Sequence, residues 1–316
     1  MRIVVALGGN ALLERGEAPA AEIQKEHVVA AVEALAPLAL DHDLIITHGN
    51  GPQVGLLALE SARDPALPHP YPFDALVAET QGMIGYFLLQ ALGNALPAKQ
   101  VVGLITQTLV AADDPAFGQP TKFVGPVYDE SESHKLARRW GWQIRRDGQS
   151  WRRVVASPEP LGLIELPTIK MMLAAGAVII CAGGGGIPVC RSPDGHLHGV
   201  EAVVDKDLTT ALLARSVGAD ALLLLTDVAA VETDFGTPRA GPIRRITSSE
   251  LDNLHFPPGS MGPKVAAACR FVRGTHRVAA IGRLDDAAQL LAGTAGTTIT
   301  DNGHHGEDQE EMHSDN

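Results

Sequence analysis

Short apolar runs rich in Val, Ile and Leu recur along this chain at 3–7, 44–47, 101–106, 177–181, 221–226, 278–281 and 297–300. Each run is nearly continuous in hydrophobicity, the mark of a strand buried on both faces, and such strands belong to a parallel sheet covered by helices on either side. Helical stretches fill the gaps at 21–40, 53–62, 73–96, 166–175, 207–217, 263–273 and 285–291, and Gly176 and Gly218 stand where two of them should stop. The predicted fold class is therefore α/β, a three-layer αβα open sandwich with a mainly parallel central sheet. With 316 residues, 45% of them hydrophobic, the chain can bury one large domain or two lobes.

One stretch breaks the rhythm. Residues 112–155 are rich in Pro, Gly and charge, and a hairpin around Asp147 and Gly148, with strands at 143–145 and 151–154, would make them a small protruding subdomain at the edge of a site. Trp140, Trp142 and Trp151 all fall here, and indoles need something to pack on, which argues against a disordered loop.

Charge and cysteine usage exclude several roles. The formal net charge is −12, but half of that excess sits in Asp301, Glu307, Asp308, Glu310, Glu311 and Asp315, within a glycine-broken tail that also carries His304, His305 and His313. The tail, 301–316, is expected to be disordered and solvated. The body has no basic stripe, so nucleic acid is not an expected partner. Cys181, Cys190 and Cys269 lack metal-ligand spacing, and buried free thiols are expected rather than a metal site. No apolar run is long enough to span a bilayer, and the opening MRIVVALGGN lacks a signal peptide's apolar stretch; a cytoplasmic protein is expected, without a membrane partner.

Three glycine clusters follow predicted strands directly. Gly8-Gly9-Asn10 follows the first, His48-Gly49-Asn50-Gly51-Pro52 the second, and Gly183-Gly184-Gly185-Gly186 the fourth. In an open α/β sheet the C-terminal strand edge is where ligands bind, and glycine lets a ligand approach the backbone closely. Individually GGN and HGNG are equally compatible with tight turns. The four-glycine run costs enough backbone entropy to favour close ligand approach over a bland connector, which makes Gly184 and Gly185 candidate phosphate contacts. Neither GxxxxGK[ST] nor GxGxxG occurs at these loops, so the phosphate site is not a P-loop or a dinucleotide fold. Cations would come from Lys206, flanked by Asp205 and Asp207 at a helix start, from Lys264 in GSMGPK before another helix, and from Lys122 in the excursion. DKD at a helix start is also ordinary capping chemistry.

LGGNAL, HGNGPQVG, PTK followed by GP and Tyr, AGGGGIPV, VVDKDL, LLTDV, GSMGPKV and GTTIT stand here in the order seen in carbamate kinases, and the resemblance covers residues 1–300. The resemblance implies a homodimer that uses ATP/ADP, with Mg2+ bound mainly through the nucleotide, and carbamate/carbamoyl phosphate as the other substrate pair. It implies an N-lobe at 1–165, including the subdomain, and a nucleotide lobe at 166–300. Gly8, Gly9, Asn10, Gly49, Asn50 and Gly51 resemble the loops that hold carbamate and the transferred group. Lys206 and Lys264 resemble the cations that bridge the ATP phosphates, Lys122 the one delivered by the subdomain, and Asp207 the carboxylate that organises them. Thr226, Asp227, Met261 and Gly262, with Lys264, correspond to the nucleotide site.

Two departures bear on the assignment. Acetylglutamate kinases tend to carry a lysine two residues before the first GG, and Ala6 occupies that position here. Where carbamate kinases usually read PTKPIGP this chain reads PTKFVGP, so Phe123 replaces a proline that would stiffen the Lys122 loop. In-line phosphoryl transfer needs positioning and charge stabilisation, and carbamate is already an anion, so no catalytic base or nucleophile is expected. The alternatives are a same-fold kinase for another small acid such as acetylglutamate, and a non-catalytic nucleotide-binding sensor.

Overall fold

The computed structural model describes residues 1–14, 17–237, 239–256 and 261–301, and of Asn10 the backbone alone. Of the expected tail 301–316, residues 302–316 lie outside the described residues, as do 257–260, which hold the Gly259-Ser260 part of the GSMGPK loop.

Among the described residues eight strands form the central sheet, in the order Arg245–Thr247, Thr297–Thr300, Val278–Arg283, Ala221–Thr226, Arg2–Leu7, Asp43–His48, Val178–Ile180, Val101–Gly103. Every pairing is parallel except that of Val278–Arg283 with Thr297–Thr300. Alternation along each run sends side chains to two cores. Val4, Ala6, Leu222 and Leu224 face the helices Leu166–Ala174, Lys206–Val217 and Met261–Thr275. Ile3, Val5, Leu7, Leu223 and Leu225 face Ala21–Asp41, Phe73–Ala95 and Ala287–Leu291. This is the αβα sandwich the unbroken hydrophobicity implied, because each strand has a core on both sides.

The predicted strand 101–106 ends early, at Gly103. Val101–Gly103 stays in the central sheet, while Gln107–Leu109 joins a second sheet ordered Leu197–Gly199, Ile187–Arg191, Gln107–Leu109, Gly162–Leu163. Between the two strands Thr106 donates its N–H to Gln81 Oε1 at 2.9 Å, and its carbonyl accepts from both Gln81 Nε2 at 3.1 Å and the Ile187 N–H at 2.9 Å. The Gln81 amide thus satisfies the N–H that has no ladder partner here, while the carbonyl already joins the second sheet through Ile187. The short edge strand Arg245–Thr247 was not predicted.

The excursion is a three-stranded antiparallel sheet, Lys122–Tyr128, Ser150–Val155, Gln143–Asp147, with the helix Glu130–Trp140 inserted. The Asp147–Gly148 hairpin forms, Gly148 taking φ +63°. Asp129 caps the helix by accepting from Glu132 N–H at 2.8 Å, and Gly141 ends it at φ +70°. Each tryptophan has a partner: Trp140 meets His69 edge-on at 6.0 Å, Trp151 meets His134 at 5.5 Å, and Trp142 lies 4.2 Å from the Arg153 guanidinium. Arg153 is also stacked on Phe73, paired with Glu201 and buried, which ties the small sheet to the body of the molecule.

Candidate active site

Adjacent parallel strands deliver their C-terminal ends to one edge, so Gly8, Gly49, Gly183 and Asp227 emerge from neighbouring strands. The first two glycine loops interlock backbone against backbone. A Cβ at Gly49 would stand 2.9 Å from Gly9 Cα, and one at Gly8 would stand 3.0 Å from the Leu225 carbonyl oxygen. The backbone of Asn10 continues this turn in Gly9–Ala11. Asn50 precedes the helix Gly51–Arg63 but does not cap it; its Nδ2 donates to Thr80 Oγ1 at 2.9 Å. The helix therefore starts with N–H groups that no Asn50 cap occupies, beside exposed Gly51, a favourable place for an anion.

The four-glycine run is explained by the protein's own packing. Added Cβ atoms would meet His48 Nε2 at 2.4 Å from Gly183, Asn50 Nδ2 at 2.2 Å from Gly184, the Val204 carbonyl at 2.4 Å from Gly185, and Thr108 Oγ1 at 2.0 Å from Gly186. Gly184 reaches the cleft described below; Gly185 lies beneath it, its carbonyl accepting from Thr108 Oγ1 at 2.7 Å and Thr209 Oγ1 at 3.0 Å. His48 supports the run from below. Its Nδ1 lies 3.0 Å from the Gly49 carbonyl, and burial, with a smaller push from the Lys206 charge, lowers it to about 4, so the ring is neutral at pH 7.

The charged cluster is built on the first turn of Lys206–Val217. Asp205 Oδ1 caps this helix, accepting from the N–H of Asp207 at 2.9 Å and of Leu208 at 3.3 Å, while its Oδ2 holds Lys122 Nζ at 3.1 Å. One carboxylate thus both caps the helix and holds Lys122 at the cleft, and sequence reasoning left Asp205 only as a flank of Lys206. Lys206 Nζ donates to the Leu7 carbonyl at 2.7 Å and lies 3.2 Å from Asp207 Oδ1. Lys264 Nζ donates to Asp207 Oδ2 at 2.9 Å. All three side chains are nearly buried, at 12%, 8% and 13% exposure for Lys206, Asp207 and Lys264. Burial lowers Lys206 to about 8, Lys264 adding to the shift and Asp207 opposing it. Burial alone would raise Asp207, but the two ammonium groups hold it at about 2, ionised at any ordinary pH.

One cleft of about 1460 Å³ joins these parts. Gly8, Gly9, Gly49, Asn50, Gly51 and Gly184 line it, with Lys122, Lys206, Asp207, Lys264, Thr226, Asp227 and Met261. Gly262 follows in the half-buried first turn of Met261–Thr275. Thr226 Oγ1 donates to Asp227 Oδ1 at 3.1 Å at the end of the strand. Residues that the sequence did not single out also line the cleft: Arg152 from the subdomain, and Phe235, Leu254 and Phe256 beyond Thr226. Phe235, alone among the polar residues of VETDFGTPR, was the available signal for that apolar end. Among the described residues no group of three or more His, Cys, Asp or Glu is arranged to hold a metal ion, and no helix is long and apolar enough to cross a membrane.

The arrangement joins a backbone edge that suits an anion, a buried Lys-Asp-Lys cluster and a third lysine on a separate element. That combination suits the transfer of a charged group without a protein nucleophile. The amino acid kinase family model matches residues 1–281. A carbamate kinase of Rhizobium meliloti is 53% identical, over 95% of this chain and 93% of that one. A carbamate kinase of Escherichia coli K12 is 50% identical over 94% and 99%. The structure of carbamate kinase from Giardia lamblia bound to AMP-PNP matches with a TM-score of 0.89 and 37% identity, covering 95% of this chain and 98% of that one. The chain belongs to the carbamate kinases of the amino acid kinase family.

Proposed function

We propose that the chain catalyses reversible transfer of a phosphoryl group between ATP and carbamate, giving ADP and carbamoyl phosphate. The observation that carries this reading is Asp207, buried between Lys206 and Lys264 beneath the glycine edge. In this reading carbamate lies with Gly8, Gly9, Asn10, Gly49, Asn50 and Gly51, in the lobe 1–165. The nucleotide lies with Thr226, Asp227, Met261, Gly262 and Lys264, in the lobe 166–300, and arrives as its Mg2+ complex. A carbamate oxygen attacks the γ-phosphorus, the bond to the β–γ bridging oxygen breaks, and ADP leaves; no proton moves. Lys206 and Lys264 offset charge on the transferring group, Lys122 adds a third charge from the subdomain, and the glycine-loop N–H groups hold the acceptor. Asp207 keeps two like charges side by side in a site where burial already weakens one of them.

ATP formation from ADP and carbamoyl phosphate by the purified chain, in reducing buffer with magnesium, tests the assignment; no ATP would overturn it. Against a same-fold kinase for acetylglutamate stands Ala6, fully buried in the first strand where those relatives carry a cation. ADP release with carbamate, acetylglutamate, aspartate and UMP separates the two, and nucleotide binding without transfer to any acceptor would favour a sensor. The same reading carries a cytoplasmic homodimer, which light scattering at twice the chain mass of 33.2 kDa would support.

A further inference from the structure

Lys122 opens the strand Lys122–Tyr128, whose pairing with Ser150–Val155 is interrupted between Val124 and Val127. Gly125 sits in this interruption at φ +71°, and its backbone lies on Gly55, where an added Cβ would meet Gly125 Cα at 3.3 Å. Gly55 is one turn into the helix Gly51–Arg63, which begins at the HGNG loop. Arg152 reaches over from the neighbouring strand. Its Nε donates to the Gly125 carbonyl at 2.8 Å, its Nη1 donates to Asp147 Oδ2 at 3.1 Å, and its guanidinium stands 6.0 Å from the Phe123 ring.

We propose that Arg152 is a positioning residue for Lys122: it clamps the bulge that seats the small sheet on Gly55, and so sets where Lys122 enters the cleft. Phe123 leaves its own φ free where proline would have fixed it, so the segment between Lys122 and Gly125 depends on an external tie. A guanidinium supplies that tie with two donors held in one plane, whereas an ammonium group has no fixed fork. Lys122 is three residues from Gly125, and a shift of about 1 Å at a reacting centre can cost on the order of 100-fold in rate. The proposal rests on the reading that Lys122 acts in the transfer.

The test is ATP synthesis from ADP and carbamoyl phosphate by Arg152→Gln, Arg152→Lys, Gly55→Ala, Lys122→Ala and the double variant Arg152→Gln/Lys122→Ala. Arg152→Gln is expected to lower kcat about tenfold with KM for ADP within about twofold, and Arg152→Lys to restore part of the loss. The double variant should be no slower than Lys122→Ala, because Arg152 acts through it. The chain has 3 tryptophans, all in the subdomain, so their emission reports whether that part has kept its fold. If Arg152→Gln alters the emission, Gly55→Ala decides from outside the subdomain: it should lower kcat with the emission unchanged, and full activity would overturn the proposal. A normal kcat in Arg152→Gln beside a slow Lys122→Ala, or losses that multiply in the double variant, would also overturn it. A normal Lys122→Ala would instead remove the reading beneath it.

Discussion

Asp207→Asn removes the carboxylate that lies between two nearly buried ammonium groups while keeping the side chain's shape. Lys206 stands at about 8 even with Asp207 in place. Removing one partner of a buried ion pair typically costs about 3–5 kcal/mol. If about 3 kcal/mol of that falls on Lys206, at about 1.36 kcal/mol per pH unit its titration moves down by about two units, to near pH 6. At pH 7.5 the protonated share of Lys206 then falls from roughly three quarters to about one thirtieth, and kcat/KM falls about 25-fold from this cause alone. The assay is ATP formation from ADP and carbamoyl phosphate at intervals from about pH 5.5 to 9, with kcat/KM because it reports the free enzyme. Dividing variant by wild type at each pH cancels the ionisation of the substrates. The ratio should be lowest above pH 7.5 and rise steeply as the pH is lowered, since acid returns the proton to Lys206. A ratio that stays constant across the range would refute the electrostatic role given to Asp207. The same carboxylate has a folded-state value of about 2 against 3.8, which contributes about 2 kcal/mol of stability, present above about pH 4 and lost as the pH falls toward 2.

Lys206→Met should lower kcat about 100-fold or more without lowering the thermal midpoint at pH 7. Lys206 is depressed from 10.5 to about 8, so holding its charge costs the fold about 3 kcal/mol, relieved only as the pH rises from 8 toward 10.5; near-normal turnover would remove Lys206 from the mechanism. Gly184→Ala puts a Cβ 2.2 Å from Asn50 Nδ2 at a backbone φ of +64°. It should lower the denaturant midpoint by the equivalent of about 1–3 kcal/mol and weaken kcat/KM through the displaced Asn50, so an unchanged midpoint would refute the packing account of the run. All 3 cysteines are buried, and burial pushes the Cys181 thiol up to about 12. An aromatic disulfide reagent should therefore label less than one thiol per native chain within minutes while activity persists; rapid stoichiometric labelling would contradict this.

The central strands were legible because burial on both faces leaves an uninterrupted apolar run, and the cleft's edge was legible because several of those runs end in glycine. What escaped was structure set by partners distant in sequence. The second sheet is made of strands of two to five residues, and Gln107–Leu109 enters it just after Thr106, which is held by both Gln81 and Ile187. Arg245–Thr247 is too short and too polar to announce itself. The helix Glu130–Trp140 was readable in principle, since Asp129, Glu132 and Gly141 mark its ends, but its apolar positions are too few to show a period. The glycine run illustrates a different limit. Its entropy cost pointed to close approach, and the approaching atoms prove to be those of His48, Asn50, Val204 and Thr108. DKD at a helix start left capping and cation placement as rival explanations, yet Asp205 does both at once.

The position of Arg2–Leu7 in the middle of the sheet also governs how the chain is made. Of the strands in this sheet it is synthesised earliest, and one of its edges is matched soon afterwards by Asp43–His48, but the other waits for Ala221–Thr226. At about 5–20 residues per second that interval lasts roughly 10–35 s. Throughout it, the open edge of Val4, Val5 and Ala6 is a template for any extended segment nearby, including that of another nascent chain on the same message. The yield of active protein should therefore respond to translation speed and to holdase chaperones, even though the finished molecule keeps that strand out of reach.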